Sequence, residues 1–133
     1  MATKVLVVDD SMMMRKLVKD IVSADSDMEV VGDAANGEVA LAKAKDMKPD
    51  VILLDIEMPV MDGLDFMKHY KLIGKAKIIV LSSVTAAGSA TATEARKLGA
   101  LEIINKPSGG ISLDLQAKKG HEIVKSIRKV AGI

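Results

Sequence analysis

Three stretches of the chain run apolar without interruption: Val5-Leu6-Val7-Val8, Val51-Ile52-Leu53-Leu54 and Ile78-Ile79-Val80-Leu81. No polar position alternates within them, so each reads as a strand covered on both faces, as in a parallel sheet. Residues 29–34 and 101–104 read as two further strands. Stretches of helical period separate the five. Ser11 is the expected N-cap of a first helix whose apolar stripe is Met14, Leu17, Val18, Ile21 and Val22. Asn36-Gly37 reads as the turn out of the second strand. A helix over 38–47 turns Ala40, Leu41 and Ala44 inward and stops ahead of Pro49. A third helix is expected over about 64–70. A fourth ends at Leu98-Gly99, where glycine supplies a left-handed cap. A fifth spans about 119–130, on the stripe Ile123, Val124, Ile127 and Val130. The Gly-rich stretch 108–118 reads as an unusually long loop.

Strand and helix thus alternate five times. That pattern predicts an α/β fold, a doubly wound five-stranded parallel sheet with helices on both faces, forming one domain over 1–133. Each apolar run breaks off on a polar group: Asp9 and Asp10 after the first strand, Asp55 after the third, Ser82 after the fourth, Lys106 after the fifth. Right-handed crossovers bring these ends to one edge of the sheet, where open α/β proteins place their chemistry. Pro59 and Asp62-Gly63 keep the third strand from continuing past Asp55.

Composition narrows the chemistry. There is no cysteine, so thiol nucleophiles, thiolate metal sites and disulfides are excluded. Aromatic residues make up only 2% of the chain against 49% hydrophobic, so the core is aliphatic with methionine filling. A net charge of +1 lacks the concentrated basic face of a nucleic-acid binder. The short apolar run after Lys4 is neither a signal peptide nor a membrane span, and a cytoplasmic location without membrane insertion is expected.

Three converging carboxylates, Asp9, Asp10 and Asp55, repel one another unless a cation sits among them, and an all-oxygen set suits Mg2+. Asp55 is then placed to attack a phosphoryl group, with Lys106 supplying positive charge and Ser82 a hydroxyl donor. His69 and His121 lie on separate helices without metal-ligand spacing and are expected at the surface. Met14 is expected to pack, and Met12 and Met13 to stand partly exposed. The lysines between 118 and 129 read as a solvated helix face.

The Asp9-Asp10 pair, Asp55 with Met58-Pro59 and Asp62-Gly63, Ser82 after an aliphatic strand, and Lys106-Pro107 together resemble a bacterial two-component response-regulator receiver domain. The resemblance covers essentially the whole chain. It implies a flavodoxin-like, CheY-like strand order 2-1-3-4-5, with Asp55 taking a phosphoryl group from the phosphohistidine of a CheA-like sensor kinase. It further implies Mg2+ held by Asp10, Asp55 and the backbone carbonyl of Glu57, with Asp9 on a metal-bound water. Ser82 would be the switch hydroxyl and Lys106 the phosphate-contacting lysine. The product of the signal would be a changed contact with an output domain or target protein, not turnover of an external substrate.

Asp10-Ser11-Met12, Met14-Arg15-Lys16, Asp55 to Pro59, Ser82 to Thr85 and Lys106 to Gly109 look closest to receivers of CheB-type chemotaxis methylesterases, without the esterase portion. A stand-alone CheY-like regulator is the alternative. A haloacid-dehalogenase-type phosphatase, of which Asp55-Ile56-Glu57 is a loose echo, is disfavoured by the acidic pair on the first strand and by the lack of a cap domain. One departure from the family is Ile103, three residues before Lys106, where an aromatic ring is common.

Overall fold

A computed structural model of the chain describes residues 2–82, 90–105 and 113–133, with the backbone alone for 113–118. In chain order the elements are β1 (Thr3–Val8), α1 (Met12–Ser23), β2 (Met28–Ala34), α2 (Gly37–Met47), β3 (Val51–Asp55), α3 (Gly63–Tyr70), β4 (Lys77–Ser82), α4 (Ala90–Lys97), β5 (Ala100–Asn105) and α5 (Leu113–Ala131). The strands form one parallel sheet in the order β2-β1-β3-β4-β5.

The uninterrupted aliphatic runs follow from this order. β1, β3 and β4 are interior strands, so both faces of each are covered and every second residue still needs an apolar neighbour. Leu6, Val8, Ile52, Leu54 and Val80 face a layer containing α2, α3 and α4, where Ala40, Ala44, Phe66, Met67 and Ala95 pack. Val5, Val7, Leu53, Ile79 and Leu81 face α1 and α5 through Val18, Val22, Ile123 and Ile127. The chain's single Phe and single Tyr, Phe66 and Tyr70, stack on α3 with ring centroids 5.3 Å apart.

Two expectations need correction. Asn36-Gly37 is less a turn than the start of α2: Asn36 Oδ1 accepts from the Val39 N–H at 2.9 Å and Gly37 is the first helical residue. A glycine is needed there because a Cβ would lie 2.7 Å from the Met61 carbonyl oxygen. The expected long loop 108–118 also gives way to helix from Leu113 on. Five of the six residues from Leu113 to Lys118 are good helix formers, and Gly120 lies inside α5 facing Ile21 of α1. A Cβ at Gly120 would stand 3.3 Å from Ile21, so the glycine lets the two helices approach closely. The remainder of the expected loop, 108–112, lies outside the described residues.

Candidate functional site

Strands β1 and β3 are neighbours in register, with Val8 beside Leu54. The next residue on each is a carboxylate, Asp9 and Asp55, 2% and 1% exposed. Asp10 follows at the surface. One carboxylate oxygen from each of the three lies within 4.8 Å of the others.

Two buried carboxylates so close together need donors or a cation. Among the described residues, two donors come from the turns that end the strands. Asp9 Oδ1 accepts from the Ser11 N–H at 2.9 Å, and Ser11 Oγ in turn caps α1 by accepting from the Met14 N–H at 3.2 Å. Asp55 Oδ1 accepts from the Glu57 N–H at 3.1 Å. The acidic pair also precedes the N-terminus of α1, whose dipole favours negative charge.

The loop after Asp55 is tied at several points. Val60 has φ +69° and is spanned by a Met61 N–H to Pro59 carbonyl bond of 2.8 Å, a γ-turn in a conformation unusual for a β-branched residue. The Met61 carbonyl accepts from Gly37 and the Ile56 carbonyl from Gly63, both at 2.8 Å. Asp62 Oδ1 caps α3 through the Asp65 N–H at 2.9 Å. A Cβ at Gly63 would lie 2.4 Å from the Asp55 carbonyl oxygen, so backbone packs directly on backbone behind the carboxylate.

Ser82, the last residue of β4, is buried. Its predecessor Leu81 is beside Asp55, and Ser82 itself is beside Asn105 on β5. Asp9, Asp10, Asp55, Glu57 and Ser82 therefore gather at one end of the sheet. Lys106 follows Asn105 and lies outside the described residues, as do Ser83 to Thr85 of the fourth-strand motif. His69 and His121 are exposed on α3 and α5. Met14 packs against the core, while Met12 and Met13 are more exposed than expected, at 73% and 85%.

Sequence reasoning gave Arg15 only as part of a motif and missed Asp33 and the contacts that join the two. Arg15 Nη1 donates to the Asp9 carbonyl at 2.7 Å and Nε to Asp33 Oδ2 at 2.9 Å. A cation one turn into the helix after an acidic pair was the available signal. A cavity of about 1020 Å3, lined by Lys4, Lys45, Lys48, Lys75 and Lys77, lies at the other end of the sheet and takes no part in the site.

The donor set fits Mg2+. Every ligand is oxygen, which hard cations take, and the pairing of two buried carboxylates with one exposed leaves an open side for the waters Mg2+ keeps.

Comparisons agree with this geometry. The sequence model of the response regulator receiver domain family matches residues 5–118. A protein-glutamate methylesterase/protein-glutamine glutaminase of Syntrophomonas wolfei is 43% identical over 128 residues, covering 96% of this chain and 36% of that protein. The chain thus spans about a third of the length of the curated relatives it matches. The response regulator domain of Thermotoga maritima CheB superposes with a TM-score of 0.91 at 41% identity, covering 100% of this chain and 98% of that one. A chain from the complex of the CheA3 P1 domain with CheY6 of R. sphaeroides gives a TM-score of 0.81 at 42% identity, with full coverage of both.

Proposed function

The chain belongs to the response regulator receiver domain family, and from that membership we propose that Asp55 is its phosphoacceptor. The observation that carries the reading is the buried Asp55 carboxylate at the end of β3, with oxygens of Asp9 and Asp10 within 4.8 Å. An Asp55 oxygen attacks phosphorus of a phosphohistidine on a CheA-like kinase. The P–O bond forms as the P–N bond breaks, and the departing imidazole nitrogen takes a proton. Asp10, Asp55 and the Glu57 carbonyl would hold Mg2+, with Asp9 on one of its waters. The ion supplies charge neutralisation for the transferring phosphoryl oxygens. Asp9 and Ser82 line the buried side, and Lys106 would pair with the phosphoryl group from the end of β5.

The domain spans 1–133 and acts by switching a partner or domain interface in the cytoplasm, its own phosphotransfer and dephosphorylation being its only chemistry. We assign it as the regulatory domain of a CheB-type chemotaxis methylesterase. A stand-alone CheY-like regulator would use the same site and differ only in its output. The test is intact mass after incubation with acetyl phosphate and Mg2+. One phosphoryl group should add to the native chain and none to Asp55→Asn. Labelling that persists in Asp55→Asn would move the acceptor elsewhere.

A further inference from the structure

We propose that Arg15 is a positioning residue for the metal-binding carboxylates, holding the peptide that joins Asp9 to Asp10 by clamping it to Asp33. The inference deepens the phosphoacceptor reading and rests on it.

The clamp has two ends. Arg15 Nη1 donates to the Asp9 carbonyl at 2.7 Å, and that carbonyl belongs to the peptide linking the two acidic residues. Arg15 Nε donates to Asp33 Oδ2 at 2.9 Å, and Lys19 Nζ lies 3.5 Å from the same oxygen. On the other side of Asp9, its N–H donates to the Ala34 carbonyl at 3.0 Å. Both backbone groups of Asp9 are thus tied down, one to the end of β2 and one to the first turn of α1. The planar guanidinium fork is what allows one side chain to serve a carbonyl and a carboxylate together.

A bulge in β2 makes this possible. Val5 is beside Val30, but Leu6 is beside Gly32, so Val31 is an extra residue. Bulges re-aim the side chains that follow them. Asp33 consequently stands beside Val7, whose side chain faces α1 and α5, and not beside Val8, which faces α2. Without the extra residue Asp33 would point away from Arg15. Lys43 of α2 donates to the Asp33 carbonyl, fixing the same residue from the opposite face.

Charge and position predict opposite signs, and this makes the inference testable. If Arg15 mattered only as a cation near the site, removing it would tighten binding of a divalent cation. If it holds the Asp9–Asp10 peptide, removing it loosens the ligand set and weakens binding.

Mg2+ is titrated calorimetrically into the native chain and into Arg15→Gln, Arg15→Lys and Asp33→Asn, well below each unfolding temperature. Arg128→Gln, whose ion pairs with Asp25 and Asp27 lie at the far end of the sheet, controls for mere loss of stability. Arg15→Gln should bind Mg2+ about tenfold more weakly, the usual effect of losing a group that orients a metal ligand. Asp33→Asn should shift the same way by less, and Arg128→Gln not at all. Arg15→Lys keeps the charge but cannot span both acceptors, so it should also bind weakly; it carries the test should Arg15→Gln not fold. Equal or tighter binding by the Arg15 variants overturns the inference and leaves the phosphoacceptor reading standing. Failure of the native chain to bind Mg2+ overturns both.

Discussion

Val8 and Leu54 lie side by side in the β1–β3 ladder, and the residue after each is a buried aspartate. Parallel register alone therefore brings two like charges together, and Asp10 adds a third. At such separations each pair of charges repels by about 1 kcal/mol in water and more as the surroundings dry out. Among the described residues, the N–H groups of Ser11 and Glu57 are aimed at the carboxylates and offset part of the repulsion.

Neutralising one member should stabilise the metal-free fold. Asp10→Asn is expected to unfold about 4 °C higher than the native chain without Mg2+, the equivalent of about 1 kcal/mol in a domain of this size. The native chain should gain stability on adding Mg2+, by mass action, and the variant should gain little. Thermal unfolding of both proteins with and without Mg2+ checks this. An Mg2+-dependent rise equal in the two would remove Asp10 from the ligand set.

Gly63 offers a test of the backbone behind Asp55. A methyl group there would meet the Asp55 carbonyl oxygen and the Ile56 Cα at 2.4 and 2.7 Å, both backbone atoms that yield only if the strand end moves. Gly63→Ala should lose about 1–3 kcal/mol of stability through overpacking. It should also be phosphorylated more slowly by acetyl phosphate, since the displaced carbonyl belongs to the proposed acceptor. A variant that is destabilised yet labelled at the native rate would separate this packing from the site.

Much of this was legible in the chain. Interior strands need apolar residues on both faces, so β1, β3 and β4 announced themselves, and the polar residues that stop them marked the site. What stayed hidden depends on distance between elements. The helix expected over 119–130 already contains Gly120, but only the approach of Ile21 explains why that position is a glycine. The β2 bulge at Val31 leaves no local trace, because its effect is to change which residue lies opposite Val7. Arg15 and Asp33, 18 positions apart, were therefore not paired by pattern alone.

At the far end of the sheet, Arg128 donates to both Asp25 and Asp27, joining α5 to the turn before β2. The Asp27 N–H and then the Arg128 guanidinium hold the Asp25 carboxyl below its ordinary value of 3.8. A lowered folded-state pKa contributes stability that is present above the unfolded value and lost as pH falls through the folded one. Asp25→Asn should therefore be less stable than the native chain at neutral pH, with the gap closing as the pH drops below about 3.8. Urea unfolding at a series of pH values measures it. A gap that stays constant into acid would show that the carboxylate charge is not what matters.

The remaining prediction concerns how the signal leaves the site. A phosphoryl group on Asp55 brings about two negative charges and strong acceptor oxygens to the edge where β4 ends at Ser82 and β5 leads to Lys106. Those groups should be drawn toward it, and the connections that follow them should move. In this chain Ile103 stands where a ring is common in the family, half-buried against the layer that contains Ala95 and Ala100. No large side chain has to rotate, so the shift must pass through aliphatic packing between β5 and α4. The response should accordingly appear on the face formed by α4, β5 and α5. Biasing an interface that is already near balance asks only for a differential of a few kcal/mol between the two states. Hydrogen exchange with and without a beryllofluoride mimic of the phosphoryl group reads the outcome. Altered protection across 90–105 and in α5 is expected, with α2 unchanged. Changes confined to α1 and α2 would mean that the signal leaves by the opposite edge of the sheet.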